Sequence, residues 1–206
     1  GSSGGGGARF NLPGPDLNDQ DYARLLSDFK GRIAFVNTAS ASGGFLPALS
    51  AEGRAVVTAT KNATQGNETI FPKFFVEAFD QRLADVDKDD AVSLTEAFDY
   101  ARDQVAKHYE VEQLLATEHA HLDDNGDRIG TQTPDPLSDD VSVDGRFASR
   151  MRLSQSYVGS DGGAGAAPSA AGAALVEEKR ELDERIEILR RQRSSLDEEV
   201  YYEELE

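Results

Sequence analysis

Ile33-Ala34-Phe35-Val36-Asn37-Thr38-Ala39-Ser40-Ala41-Ser42-Gly43-Gly44 is the stretch on which the fold turns. Its apolar part, 32–36, has the length and content of a short buried strand. The small residues at 38–44 suit a tight turn that holds one side chain at a sheet's edge. In open α/β sheets that edge is where ligands bind. Small residues in such a place also serve close packing alone, so the turn by itself has a bland reading.

Working outward, Arg54 to Thr60 (RAVVTAT) reads as a second strand, rich in β-branched residues. Upstream, Asn18 is placed to cap a helix over about 19–29. Leu17 and Tyr22 are spaced as a hydrophobic staple, and Leu25, Leu26 and Phe29 give an apolar face. Ala8 to Pro15 reads as a loop punctuated by Pro13-Gly14-Pro15. Phe74, Phe75, Ala78 and Phe79 have helical spacing within 71–83, as do Phe98, Ala101 and Val105 within 94–108. Gly145 to Leu153 alternates around Phe147, Met151 and Leu153 and is expected as a further strand. Helices alternating with strands predict an α/β sheet.

The two ends differ in kind. Residues 1–7, GSSGGGG, read as a flexible glycine-rich start, either native or a cloning scar. Residues 154–174 form a Gly/Ala-rich linker. In 175–206, Leu175, Leu182, Leu189 and Leu196 recur at heptad spacing, with Lys179, Ile186, Arg193 and Val200 four places after each. This predicts a long amphipathic helix forming a coiled coil, with helix-mediated self-association as one outcome. Folding back on its own domain is the other.

Composition limits the partners. The 206 residues carry 21 Lys plus Arg against 38 Asp plus Glu, a formal net charge of −17. Such a surface repels nucleic acid and anionic lipid, and it suits divalent cations. With no cysteine, the chain has no disulfide, no zinc thiolate and no cysteine nucleophile. No apolar run approaches the ~20 residues of a membrane span. Asn62-Ala63-Thr64 and Asn67-Glu68-Thr69 match the glycosylation acceptor pattern, which arises often by chance.

Asp85-Val86-Asp87-Lys88-Asp89-Asp90-Ala91-Val92-Ser93-Leu94-Thr95-Glu96 fits an EF-hand loop. Asp85, Asp87 and Asp89 fill its first three ligand places. Ala91 offers the main-chain carbonyl place, Ser93 the ninth position and Glu96 the twelfth. Calcium needs several hard oxygens around one point, and this spacing wraps them there. Asp90 stands where the motif has Gly, a position that needs positive φ. The competing reading is a solvated acidic loop in which Ser93 and Glu96 form an ordinary capping box. A second acidic turn, Asp123-Asp124-Asn125-Gly126-Asp127, reads as a tight Asn-Gly turn, because Pro134 stands at its twelfth place.

Ala39-Ser40-Ala41-Ser42-Gly43 resembles the nucleophile turn of caspase-like and legumain-like cysteine peptidases, with Ser40 in the Cys position. In that clan a strand ends in a small residue, then the catalytic Cys, any residue, and Ser-Gly. The ensemble is most similar to bacterial legumain-like proteins. Val56-Val57-Thr58-Ala59-Thr60, Asn67-Glu68-Thr69, the 85–96 loop and Leu122-Asp123-Asp124-Asn125-Gly126-Asp127 all resemble segments of that group. The resemblance covers about 8–153. It implies a caspase-like sheet flanked by helices, of which this chain is the C-terminal portion. It also implies a catalytic His in a His-Gly segment upstream of Gly1, and an extracytoplasmic location.

Two positions depart from the clan. A thiol with a pKa of about 8.5 partly ionises at neutral pH, whereas the Ser40 hydroxyl needs strong general-base help. The histidines present, His108, His119 and His121, all lie downstream. In addition Thr38 stands where legumains carry the acidic residue of an asparagine-selective pocket. Three readings follow. One is a catalytically degenerate peptidase-fold domain, a calcium-stabilised binding or scaffold module for a protein or peptide. Another is a peptide hydrolase using Ser40 with a His outside this chain or one of the three present. The third is a calcium-binding α/β protein unrelated to peptidases.

Overall fold

A computed structural model describes residues 2–4, 7–10, 16–80, 83–89, 91–153 and Arg185. Residues 1–155 form one compact unit and 156–206 another. The linker, the heptad helix and Asp90 lie outside the described residues. What is described is mixed α/β, with three small sheets and four α-helices.

The central sheet has the order β4 (Ile33–Asn37), β5 (Arg54–Thr58), β7 (His121–Asp123). β4 and β5 run parallel, with Val36 beside Val57 and Asn37 beside Thr58. β7 is antiparallel to β5 and sets His121 beside Thr58. A parallel pair needs a crossover between its strands. Here the 38–44 turn and α2 (Leu46–Leu49) supply it. β5 is buried throughout, as a central strand covered on both faces should be.

The faces of β5 separate two cores. Val56 packs with Phe45, Leu46, Leu49 and Ala8, against which Tyr22, Ala23 and Leu26 of α1 (Asp19–Ser27) lie. Ala55 and Val57, on the other face, join Phe71 and Phe75 of α3 (Phe71–Glu77) and Leu94, Ala97, Phe98 and Ala101 of α4 (Leu94–Val111). This is the period-2 alternation of a strand converted into two layers.

The Asn18 cap is present and is a full capping box. Its Oδ1 accepts from the Asp21 amide at 2.9 Å, and the Asp21 carboxylate accepts from the Asn18 amide at 3.0 Å. The inward face of α1 keeps the expected Leu26 but not Leu25 or Phe29. Tyr22 and Leu26, one turn apart, face inward, while Leu25 and Phe29 are 64% and 68% exposed. The helix stops at Ser27, so helical periodicity no longer places Phe29. Tyr22 instead meets Phe10, Phe35 and Phe45 edge-on.

Three further expectations are corrected. Ser2–Gly4 is β1, Gly7–Phe10 is β2 and Leu17–Asn18 is β3, an antiparallel sheet where a flexible start and a loop were expected. A backbone ladder leaves little signature in glycine-rich sequence. Next, 145–153 is not one strand. Gly145 has φ +118 and Ala148–Arg150 is a 3-10 turn, so only Arg152–Leu153 (β8) is extended, antiparallel to Val92–Ser93 (β6). The Asp124 carboxylate bends this segment by accepting from the Gly145 and Ala148 amides at 2.9 and 2.7 Å. Lastly, α3 ends at Glu77, short of the 71–83 expected. No helix among the described residues is long and apolar enough to cross a membrane.

Candidate functional site

The turn that carries Ser40 leaves the carboxyl end of β4. Asn37 Oδ1 accepts from the Ala39 amide at 3.1 Å, and the Ala41 amide donates to the Gln65 carbonyl at 2.8 Å. Ser40 is therefore held from both sides through its neighbours. Ala41 adopts φ +58, an arrangement an alanine rarely takes because its Cβ crowds the backbone. Thr69 closes the outer side by donating to the Thr38 carbonyl at 2.6 Å. The Asn37 side-chain nitrogen Nδ2 is buried at this spot with no hydrogen-bond partner.

Behind the turn, Ser42 is fully buried. Its Oγ lies 3.1 Å from Thr60 Oγ1 and accepts from the Thr60 amide, while Thr60 Oγ1 accepts from the Gly43 amide at 2.9 Å. A Cβ on Gly43 would stand 2.3 Å from the Lys61 and Thr60 backbone, so only glycine fits.

Two of the three histidines come to this end of the sheet. His119 Nδ1 meets the Gln65 side-chain amide at 2.5 Å, and Gln65 Oε1 accepts from the Lys61 amide. Gln65 thus joins the turn, through Ala41, to His119. His121 is 8% exposed, and burial pushes its pKa below the ordinary imidazole range. His108 is elsewhere, near the end of α4 against Phe74 and Tyr109. Just before His119, Glu118 is buried and works structurally. It accepts from the Ile70 and Phe71 amides at 2.9 and 3.1 Å, capping α3 from afar, and from the Tyr109 hydroxyl.

The acidic loop lies apart from that turn. Asp85, Asp87 and Asp89 bring carboxylate oxygens within 4.8 Å of one another. The Asp89 amide donates to Asp85 and Asp87, and the Ala91 amide to Asp89, so the loop is curled around its carboxylates. Lys88 takes φ +57 in that curl. Glu96 is not part of the three-aspartate group. Its Oε1 accepts from the Val86 amide at 2.9 Å and its Oε2 from the Ser93 amide and hydroxyl, both at 2.8 Å. It closes both ends of the loop, and with Ser93 forms the capping box of α4. Ser93 is buried and paired in β6 beside Arg152.

These residues fit a hard divalent cation. Three carboxylates converge, the twelfth-position Glu is already turned onto the loop, and no soft donor is present. What spacing along the chain did not reveal is Arg152, whose guanidinium lies 2.5 Å from Asp89 Oδ2. It arrives through the β6–β8 pairing and holds one of the three carboxylates as a tethered cation.

The second acidic turn is an Asn-Gly turn, with Gly126 at φ +83 and its amide donating to Asp123 Oδ1 at 3.1 Å. Asp123 and Asp124 are buried there, as is Asp144 from a distant segment. No sequence signal marked Asp144, Gln65 or Arg152, because each acts through a contact with a residue far along the chain.

No family model, curated protein or solved structure matches this chain.

Proposed function

We propose that this chain is the C-terminal portion of a legumain-like or caspase-like peptidase fold that lacks the nucleophilic thiol and serves as a calcium-stabilised binding or scaffold module for a peptide or protein. The observation that carries the reading is the Ser40 turn at the carboxyl end of a parallel strand, held by its neighbours and strained at Ala41. Strained backbone persists where the surroundings over-determine it, and such places cluster at functional sites. The order β4-β5-β7, parallel then antiparallel, supports the same reading, as does the side of β4 left without a partner strand among the described residues. Calcium is proposed at Asp85, Asp87 and Asp89, with the Ala91 carbonyl, Ser93 and Glu96 completing the set once Glu96 turns from the loop amides.

One observation favours a second reading, hydrolysis with Ser40 as nucleophile. Gln65 brings His119 to the turn's own hydrogen-bond network. A serine hydroxyl needs such a base within reach.

A fluorogenic peptide library separates the two. The module reading expects peptide binding without turnover, unchanged by Ser40→Ala. Turnover that disappears in Ser40→Ala and His119→Ala would replace it with the hydrolase reading. Separately, a thermal melt in chelator and in millimolar calcium tests the metal, and an unchanged midpoint would remove calcium from the proposal.

A further inference from the structure

Beyond the turn and the acidic loop, three carboxyl groups are buried where β7 ends. Asp123 is 0%, Asp124 6% and Asp144 3% exposed. Asp124 and Asp144 are engaged reciprocally. Asp144 Oδ1 accepts from the Asp124 and Asn125 amides at 3.0 and 3.3 Å. Asp124 accepts from the Gly145 and Ala148 amides, one on each oxygen. Each carboxyl group thus closes on the other's backbone. Two carboxyl groups buried this deeply side by side are held at least cost when one keeps its proton.

Besides burial, the groups that act most to raise Asp144 are other carboxyl groups. Asp123 at the end of β7, Asp124, and Asp127 in the turn all face it with negative charge. From its own segment, Arg146 sends its guanidinium to the Ser138 carbonyl. From 133–138 only the Asp135 amide reaches it, at the Asp144 carbonyl. From α4 the Thr95 hydroxyl reaches the adjacent Gly145 carbonyl. Asp123 Oδ2 is itself buried with no hydrogen-bond partner. Burial first, then these aspartates, raise Asp144 to about 7.

We propose that the Asp124–Asp144 pair is a proton-operated latch. With a proton on Asp144 it clamps residues 144–148 to the end of β7. Without it, two negative charges oppose each other in a buried site and the segment lets go. The released segment leads directly into β8, whose neighbour Met151 accepts from the Leu94 amide at 2.8 Å and whose Arg152 holds Asp89. The latch therefore governs whether the 145–153 segment stays on β6. It rests on the fold described here and is independent of any peptidase ancestry.

Amide hydrogen exchange on the full chain in chelator, corrected for intrinsic base catalysis, tests this. The Gly145, Ala148 and Leu94 amides should be fully protected below pH 3.8, lose up to about tenfold per pH unit as pH rises from there toward about 7, and level off once Asp144 ionises in the closed fold as well. In Asp144→Asn the side chain keeps a donor and an acceptor but cannot ionise, so protection should no longer depend on pH. Protection independent of pH in the wild type, or an equal loss in the variant, overturns the latch. Should the variant not fold, the wild-type Asp144 carboxyl carbon titration decides. A midpoint near neutrality supports the proposal, and one in the ordinary carboxylate range overturns it.

Discussion

The buried hydroxyl of Ser42 stands 3.1 Å from that of Thr60, and through this pair the turn bearing Ser40 is fastened to the chain just beyond β5. The Thr60 amide also donates to Ser42 Oγ, and the Gly43 amide to Thr60 Oγ1. Ser42→Ala leaves the Thr60 amide buried without an acceptor. The expected loss is about 1–3 kcal/mol of stability, read from urea unfolding. A change within error would mean that water replaces Ser42, which the zero exposure of the site argues against.

Gly43→Ala tests the same corner sterically. Its Cβ would lie 2.3 Å from backbone atoms, which cannot rotate away as a side chain can. Overpacking of this kind costs roughly 3 kcal/mol. Gly66, with nothing within 4 Å, is the internal control and should accept alanine nearly neutrally. Equal effects at both positions would refute the packing argument.

Calcium in hundredfold excess over its dissociation constant should stabilise the chain by about 2.7 kcal/mol. Asp87→Asn removes one convergent carboxylate and should abolish most of that gain. Arg152→Ala should act oppositely, tightening calcium several-fold, because the guanidinium 2.5 Å from Asp89 no longer competes. Calorimetric titration of both variants reads the sign directly. Weaker binding in Arg152→Ala would show that β8 helps the loop more than its charge hinders it.

Glu118 caps α3, which has no cap from its own neighbouring side chains. Glu118→Ala leaves the Ile70 and Phe71 amides without their acceptor and the Tyr109 hydroxyl with Thr117 alone. Removing a charged acceptor costs about 1.5–3 kcal/mol, and Tyr109→Phe, which removes one neutral donor, about 1 kcal/mol. The two effects share a partner, so the double variant should lose less than their sum. Additive losses would argue against a shared network.

Two buried groups set opposing pH dependences. Asp144 is raised from 3.8 to about 7, so its carboxyl keeps its proton in the fold after the unfolded chain has lost its own. Its contribution is full below the unfolded value and is lost as pH rises through the folded one. His121 is lowered from 6.5 by burial, so acid protonates the unfolded chain first and stability falls as pH drops below that value. Asp144→Asn should remove a loss of stability that accrues as pH rises from 3.8 to about 7, and His121→Asn a loss that accrues as pH falls below 6.5. A variant that left its own slope unchanged would overturn the assignment.

Local chemistry was legible in the sequence wherever one element explains itself. The Asn18 and Ser93 caps, β4, β5, and the start of α4 follow from residues within a few places of each other. So does the convergence of Asp85, Asp87 and Asp89, because a tight loop fixes carboxylates at alternate positions on one centre. On α1, Leu26 faces inward as expected, while Phe29 was misplaced because periodicity continues on paper past Ser27, where the helix ends. The 145–153 segment was misjudged because its shape is imposed by Asp124, more than twenty residues away.

The sequence alone determined the small-residue turn after β4 and the carboxylate spacing of the loop. Steric limits and short-range hydrogen bonds act between near neighbours, so residue order is enough to state them. Only the tertiary structure decided that His119 reaches the turn through Gln65, that Arg152 sits on Asp89, and that Asp144 is buried against Asp124. These contacts exist because strand pairing and core burial draw distant segments together, and burial is what turns ordinary carboxyl groups into a proton-sensitive pair.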